Sequence, residues 1–143
     1  MSEIRRFAPD ANGDFRWEAV DLLRYKDEGS APFRDVARQV LFAPADQACE
    51  LRYFEVAPGG FSTLERHQHT HAVLILRGYG TVRLGMETHE IRERDLVTIE
   101  PMTWHQFCAA ATTALGFLCL VSKERDRPQL PSADDLATLK LAR

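Results

Sequence analysis

Cysteine is scarce in this chain and poorly placed for a framework. Cys49, Cys108 and Cys119 are odd in number and form no C-x-x-C pair, which argues against both a disulfide scaffold and a zinc knuckle. Long apolar runs are missing too: the longest are about five residues, far short of the ~20 that a membrane-spanning helix needs. The opening MSEIRRFAPD lacks the apolar stretch of a secretory signal. Charge of one sign is not in excess. The net charge is −3, and the Lys and Arg residues are scattered rather than striped, so no footprint for nucleic acid or an anionic membrane is visible. No P-loop, Rossmann fingerprint or Ser-His-Asp pattern occurs. These absences describe a soluble, reduced, cytoplasmic protein with neither a nucleic-acid nor a membrane partner.

What the 143 residues do contain is an ordinary globular mixture, 45% hydrophobic and 27% charged, sized for a single domain with its own core. Residues 1–34 mix aromatic and charged residues with turn formers such as DANGD and KDEGSAP, which predicts an extended arm. From RDVARQVLF onward, short runs of Val, Leu, Ile and Phe alternate with Gly, Pro or charged turns, the signature of an all-β sandwich or barrel. Strands are expected at 35–42, 50–57, 63–67, 71–77, 81–84, 88–92, 96–100, 105–109 and 115–121. PGG, RGYG and LGME supply the turns between them. The core barrel is thus expected over about 35–121. A tail over 122–143 would carry one short helix, ADDLATLKLAR, capped by Ser132, with Asp134 and Asp135 at its positive end and Leu136 and Leu139 on one face.

Histidine is also rare, five in all, yet three fall within five residues of LERHQHTHAVLILRGYG. Side chains two apart on a strand share a face, so Glu65, His67, His69 and His71 would project together. Three imidazoles and a carboxylate suffice for a divalent metal, and neutral imidazole suits Zn, Cu, Fe and Ni. RDLVTIEPMTWHQF adds His105 beyond a proline turn, a ligand delivered from a distant strand. His89 lies in a polar hairpin and reads as a surface residue. Cys108 and Cys119 read as small buried hydrophobes. Tyr53, Phe54, Phe61, Trp104, Phe107 and Phe117 read as core, with Trp104 and Phe107, beside His105, the best placed to line a pocket.

PGGFSTLERHQHTHAVLILRGYG resembles the first motif of the cupins, and RDLVTIEPMTWHQF resembles the second; the resemblance spans about residues 50–121. It implies a small antiparallel jelly-roll barrel holding one divalent ion (Fe, Mn, Ni or Zn) and a small-molecule ligand or substrate, often in a homodimer built through sheet edges and N-terminal arms. The alignment is not unique. Counted back from Gly78, the family's Glu position falls on His71. Counted forward from Gly59-Gly60, its H-x-H falls on Glu65 and His67, giving Glu65, His67, His71 and His105. A two-residue shift makes His67 and His69 the pair, joined by His105, with His71 a fourth ligand or an outer group. The second version keeps H-x-H intact and is preferred, so the expected metal residues are His67, His69, His71 and His105. Arg94 stands where the motif has Gly, and Ala109 where it has Asn. The resemblance implies an enzyme of dioxygenase, isomerase or lyase type. The alternative is a non-catalytic small-molecule binder or sensor, although no helix-turn-helix accompanies the barrel.

Overall fold

The computed structural model describes residues 2–25 and 33–141. Nine strands and one helix follow in chain order: β1 Leu23–Tyr25, β2 Arg34–Phe42, β3 Cys49–Phe61, β4 His71–Arg77, β5 Tyr79–Leu84, β6 Glu87–Arg92, β7 Leu96–Ile99, β8 His105–Ala109, β9 Leu115–Ser122 and α1 Ala133–Leu141. Every pairing is antiparallel. The sheet runs β6-β5-β8-β3-β9-β4-β7, with β2 added on β3 and β1 outside β2. The sheet curls on itself, the mostly antiparallel β architecture expected, with one short C-terminal helix.

Strict alternation sets the inner face. Val73 and Ile75 of β4 are buried while Leu74 and Leu76 are exposed; Leu115, Phe117, Cys119 and Val121 of β9 point inward while Leu120 is exposed. A period of two buries one side of each strand, and a one-residue slip would turn that whole apolar set to water. This is why His71, opening β4, and His105, opening β8, point into the barrel with Val73 and Phe107.

The expected strand bounds match closely for β4, β7, β8 and β9. PGG behaves differently. It lies inside β3 and not in a turn, with Gly59 at φ 74° where a register shift opposite Asp35 kinks the strand. Gly78 is the turn glycine of RGYG: its φ is 71°, and a Cβ there would come within 1.8 Å of the Ala114 carbonyl oxygen. The strand expected at 63–67 does not form. Residues 62–70 are a bent connection whose only strand-like pairings are two isolated bridges, Glu65 to His105 and Arg66 to Gln129.

β3 carries different cargo on its two faces. Arg52, Phe54 and Val56 face the barrel interior, whereas Tyr53 is fully buried on the opposite side, stacked on Phe15 and edge-on to Trp17. The N-terminal residues are therefore anchored by aromatic packing, with a Phe7–Trp17 bridge and β1 paired to β2. Gln39 is buried with its amide on Phe15 and Trp17 backbone atoms. The KDEGSAP turn lies outside the described residues. At the C-terminal end, Ser132 and Asp135 cap α1 reciprocally, each accepting the other's backbone N–H. Leu139 is buried and Leu136 exposed, so one leucine anchors the helix; residues 142 and 143 of the expected helix lie outside the described residues.

Candidate metal centre

A cavity of about 410 Å³ opens at the end of the barrel where β4, β8 and the 62–70 connection meet. Its lining combines the aromatic rings of Phe54, Phe107 and Phe117 with the polar groups Glu65, His67, His69, His71, His105, Arg52 and Arg125. Trp104, expected near the pocket, is not in its lining; it is buried under the Arg66 guanidinium, 4.4 Å from its ring. His89 is exposed on β6, as expected.

Three ring nitrogens, one each from His67, His71 and His105, lie within 4.8 Å of one another. Their hydrogen bonds orient them. The His67 Nδ1 is 2.7 Å from the His69 carbonyl oxygen, and the His105 Nδ1 is 2.9 Å from that of Thr103. A carbonyl only accepts, so each Nδ1 carries the proton and leaves an Nε2 lone pair. The His71 Nδ1 lies 3.1 Å from the Cys119 sulfur, and its Nε2 is buried without a hydrogen-bond partner. An orphaned buried nitrogen needs an explanation, and an ion shared with its two neighbours supplies one.

Electrostatics agree. Burial, reinforced by the neighbouring imidazoles, pushes His71 down to about 3. Burial takes His105 to about 4 and lowers His67 as well. At neutral pH these rings are unprotonated, the form that binds metal. Three neutral imidazoles around a small cavity fit a divalent transition ion.

His69 is placed differently. Its ring stacks on His67, centroids 3.6 Å apart and nearly parallel, and its Nδ1 is 2.8 Å from the Asp126 carboxylate. Asp126 also accepts the backbone N–H of Gln68 and of His69, and these bonds hold its carboxyl well below the usual range. The Met102 N–H donates to the His67 carbonyl at 2.7 Å. The bend is thus fixed from the tail and from the β7–β8 turn. Glu65 exchanges two backbone hydrogen bonds with His105, so the two side chains stand directly opposite and share a face. Desolvation, partly offset by Arg52, raises the Glu65 carboxyl to about 7.

Sequence reasoning passed over Arg52, Arg125 and Asp126, and read Cys119 only as a small buried hydrophobe. Cys119 is buried as expected, yet it faces the cavity and touches His71. The inward register of β9, readable from its alternation, is the signal that was available for it. Asp126 lies 57 residues from His69 in sequence, and nothing local marks it.

Residues 52–121 match the family model described as a cupin domain. The chain is 57% identical over 139 residues to the 1-methylthio-D-xylulose 5-phosphate methylsulfurylase of Rhodospirillum rubrum, covering 97% of this chain and 88% of that one. Among solved structures, a cupin 2 conserved barrel domain protein from Rhodopseudomonas palustris is 54% identical with a TM-score of 0.88, over 97% of this chain and 93% of its own. A cupin-2 domain protein from Rhodospirillum rubrum is 58% identical with a TM-score of 0.86, over 90% and 86%.

Proposed function

The chain belongs to the cupin family, and from that premise we propose that it is a metal-dependent enzyme acting on a 1-methylthio ketose phosphate such as 1-methylthio-D-xylulose 5-phosphate, altering its carbon–sulfur bond. One observation carries the reading: three buried imidazole nitrogens converge in the cavity of a chain 57% identical, over nearly its whole length, to an enzyme named for that substrate. This reading takes the place of dioxygenase chemistry, for which no separate observation speaks.

His67, His71 and His105 would hold one divalent ion, with Glu65, directly across from His105, as the fourth candidate ligand. The family spacing counted without gaps, forward from Gly59-Gly60 to Glu65 and His67 and back from Gly78 to His71, also gives this set. His69 then acts on the ring it stacks against and through Asp126. A bound ion would supply Lewis-acid polarisation of a ketose carbonyl. The chain's own residues do the rest. The Nδ1–H bonds to Thr103 and His69 keep the ligand rings turned inward, and the phenylalanine rings exclude water from the apolar methylthio end.

The homodimer implied by the family resemblance is also proposed. Leu74, Leu96 and Leu118 are neighbours in register across β4, β7 and β9; Leu74 and Leu96 are exposed, as are Leu76 and Leu120, a leucine face suited to a second copy. A Leu96→Glu variant sedimenting like the parent would remove this support. A water-soluble sugar phosphate as substrate fits a cytoplasmic location, and among the described residues no helix is long and apolar enough to cross a membrane.

The test of function uses protein purified without a metal-affinity tag. Elemental analysis should find close to one transition-metal ion per chain. Incubation with 1-methylthio-D-xylulose 5-phosphate and a thiol, followed by proton NMR of the S-methyl signal, should show that signal move. Metal-replete protein that leaves the signal unchanged would overturn the reading.

A further inference from the structure

Arg52 is an arginine with too few partners. Its side chain is only 11% exposed, on the barrel-facing side of β3, with the guanidinium 4.9 Å over the Phe54 ring. Of its five N–H donors, one reaches the Cys119 sulfur at 3.5 Å, a weak acceptor. Its Nε is buried without a hydrogen bond, although a Glu50 carboxylate oxygen stands 3.5 Å away as a charge contact. Arg125 shares that same oxygen at 3.1 Å and donates to the Ser122 carbonyl. Two guanidinium groups therefore share a single Glu50 oxygen, while the Glu65 carboxyl that Arg52 also acts on is the candidate metal ligand named above. Both arginines line the cavity, whereas Glu50 does not.

Among the described residues no lysine and no other arginine lines this cavity, and Phe54, Phe107 and Phe117 are its large apolar rings. A dianion brought into such a space needs fixed cations, because burying unpaired charge is costly. Guanidinium offers paired donors matched to phosphate oxygens.

We propose that Arg52, with Arg125 beside it, is the seat of the substrate's phosphate group and determines specificity for the phosphorylated ketose. The inference rests on the substrate class proposed above. It fixes the direction in which the substrate lies, with its phosphate toward β3 and the tail after β9.

The experiment compares metal-loaded wild type with Arg52→Gln, Arg52→Lys and Arg125→Gln, each checked for unchanged metal content. Melting is followed against inorganic phosphate at constant ionic strength, with chloride as control. Turnover is measured on 1-methylthio-D-xylulose 5-phosphate and on the same ketose without phosphate. Arg52→Gln should abolish the phosphate-specific rise in melting temperature and lower kcat/KM for the phosphorylated substrate about 10- to 100-fold, as expected for loss of charge-assisted hydrogen bonds. The unphosphorylated ketose should lose little. Arg52→Lys should be intermediate, and Arg125→Gln, at the more exposed position, should show the same pattern more weakly. Should Arg52→Gln not fold, the lysine and Arg125 variants carry the test. A phosphate response undiminished in all three variants, or equal losses on both ketoses, would overturn the proposal. An arginine-dependent phosphate response in protein that turns over neither ketose would uphold the phosphate seat and sink the substrate reading.

Discussion

His71 and His105 open β4 and β8, whereas His67 and His69 sit on a bend that no ladder holds. The first pair is aimed by register. His71 pairs with Ile99 and Val121, and His105 with Leu84, so their inward direction comes with the burial of Val73, Ile75 and Phe107. The second pair is aimed by single bonds: the His67 carbonyl to Met102 and the Gln68 and His69 amides to Asp126. Ladder-held side chains share the stability of the core, while bend-held ones depend on a few replaceable contacts. Changes on the two sides should therefore fail in different ways.

The largest effect is expected at the ladder side. His105→Ala removes a proposed ligand but leaves β8 resting on Phe107, so the protein should still fold while metal affinity drops by roughly 100-fold or more, beyond the range usual for outer partners. Metal titration and thermal melting check this together. Parent-like metal binding would remove His105 from the site.

Next comes the clamp of the bend. Asp126→Ala should weaken metal binding about 10- to 100-fold through loss of His69 and its loop, with the strands unchanged by circular dichroism. No change in affinity would mean that the bend holds its shape without the tail.

A finer contrast lies between the two candidates for a fourth position. Glu65 faces His105 across a backbone bridge, while His69 is bound to Asp126, so Glu65→Ala should cost more metal affinity than His69→Ala. Competition titrations with a chelator give the order. The reverse order would restore His69 as a direct ligand.

The smallest effect is on the pH dependence of the metal-free protein. With His71 near 3 and His105 near 4, the unfolded chain binds protons below about 6.5 that the folded site refuses. Stability from these groups is therefore lost as pH falls from about 6.5 toward 4. Glu65 acts in the opposite sense: raised to about 7, it takes up a proton in the fold first and favours the fold as pH falls from about 7 to 4.5. In melting curves from pH 7.5 to 4, Glu65→Gln should steepen the acid loss and a His71→Asn, His105→Asn double variant should flatten it. Changes in the same direction would contradict this division.

Much of this molecule is legible before folding. The alternation in HAVLILR and in the run from Leu115 places both strands and their inward faces, because burying one side of a pleated strand demands a period of two. His105 follows from its place at the head of such a strand. The Ser132 cap is read from local chemistry alone. The same rule misleads at residues 63–67, where alternating polar residues imitate a strand without the apolar partner face that would hold one.

Local pattern therefore pointed to an all-β sandwich or barrel, to most of its strand bounds and to a histidine cluster that could hold a metal, since those depend on periodicity and residue type. The chain's tertiary course decided which imidazoles converge. It turned His69 onto an aspartate 57 residues away, set Arg52 and Cys119 in one cavity across the β3–β9 ladder, and put Tyr53 beneath the N-terminal aromatics. These are contacts between distant segments, and their geometry exists only once loops close and strands pair, so no short stretch of sequence contains it.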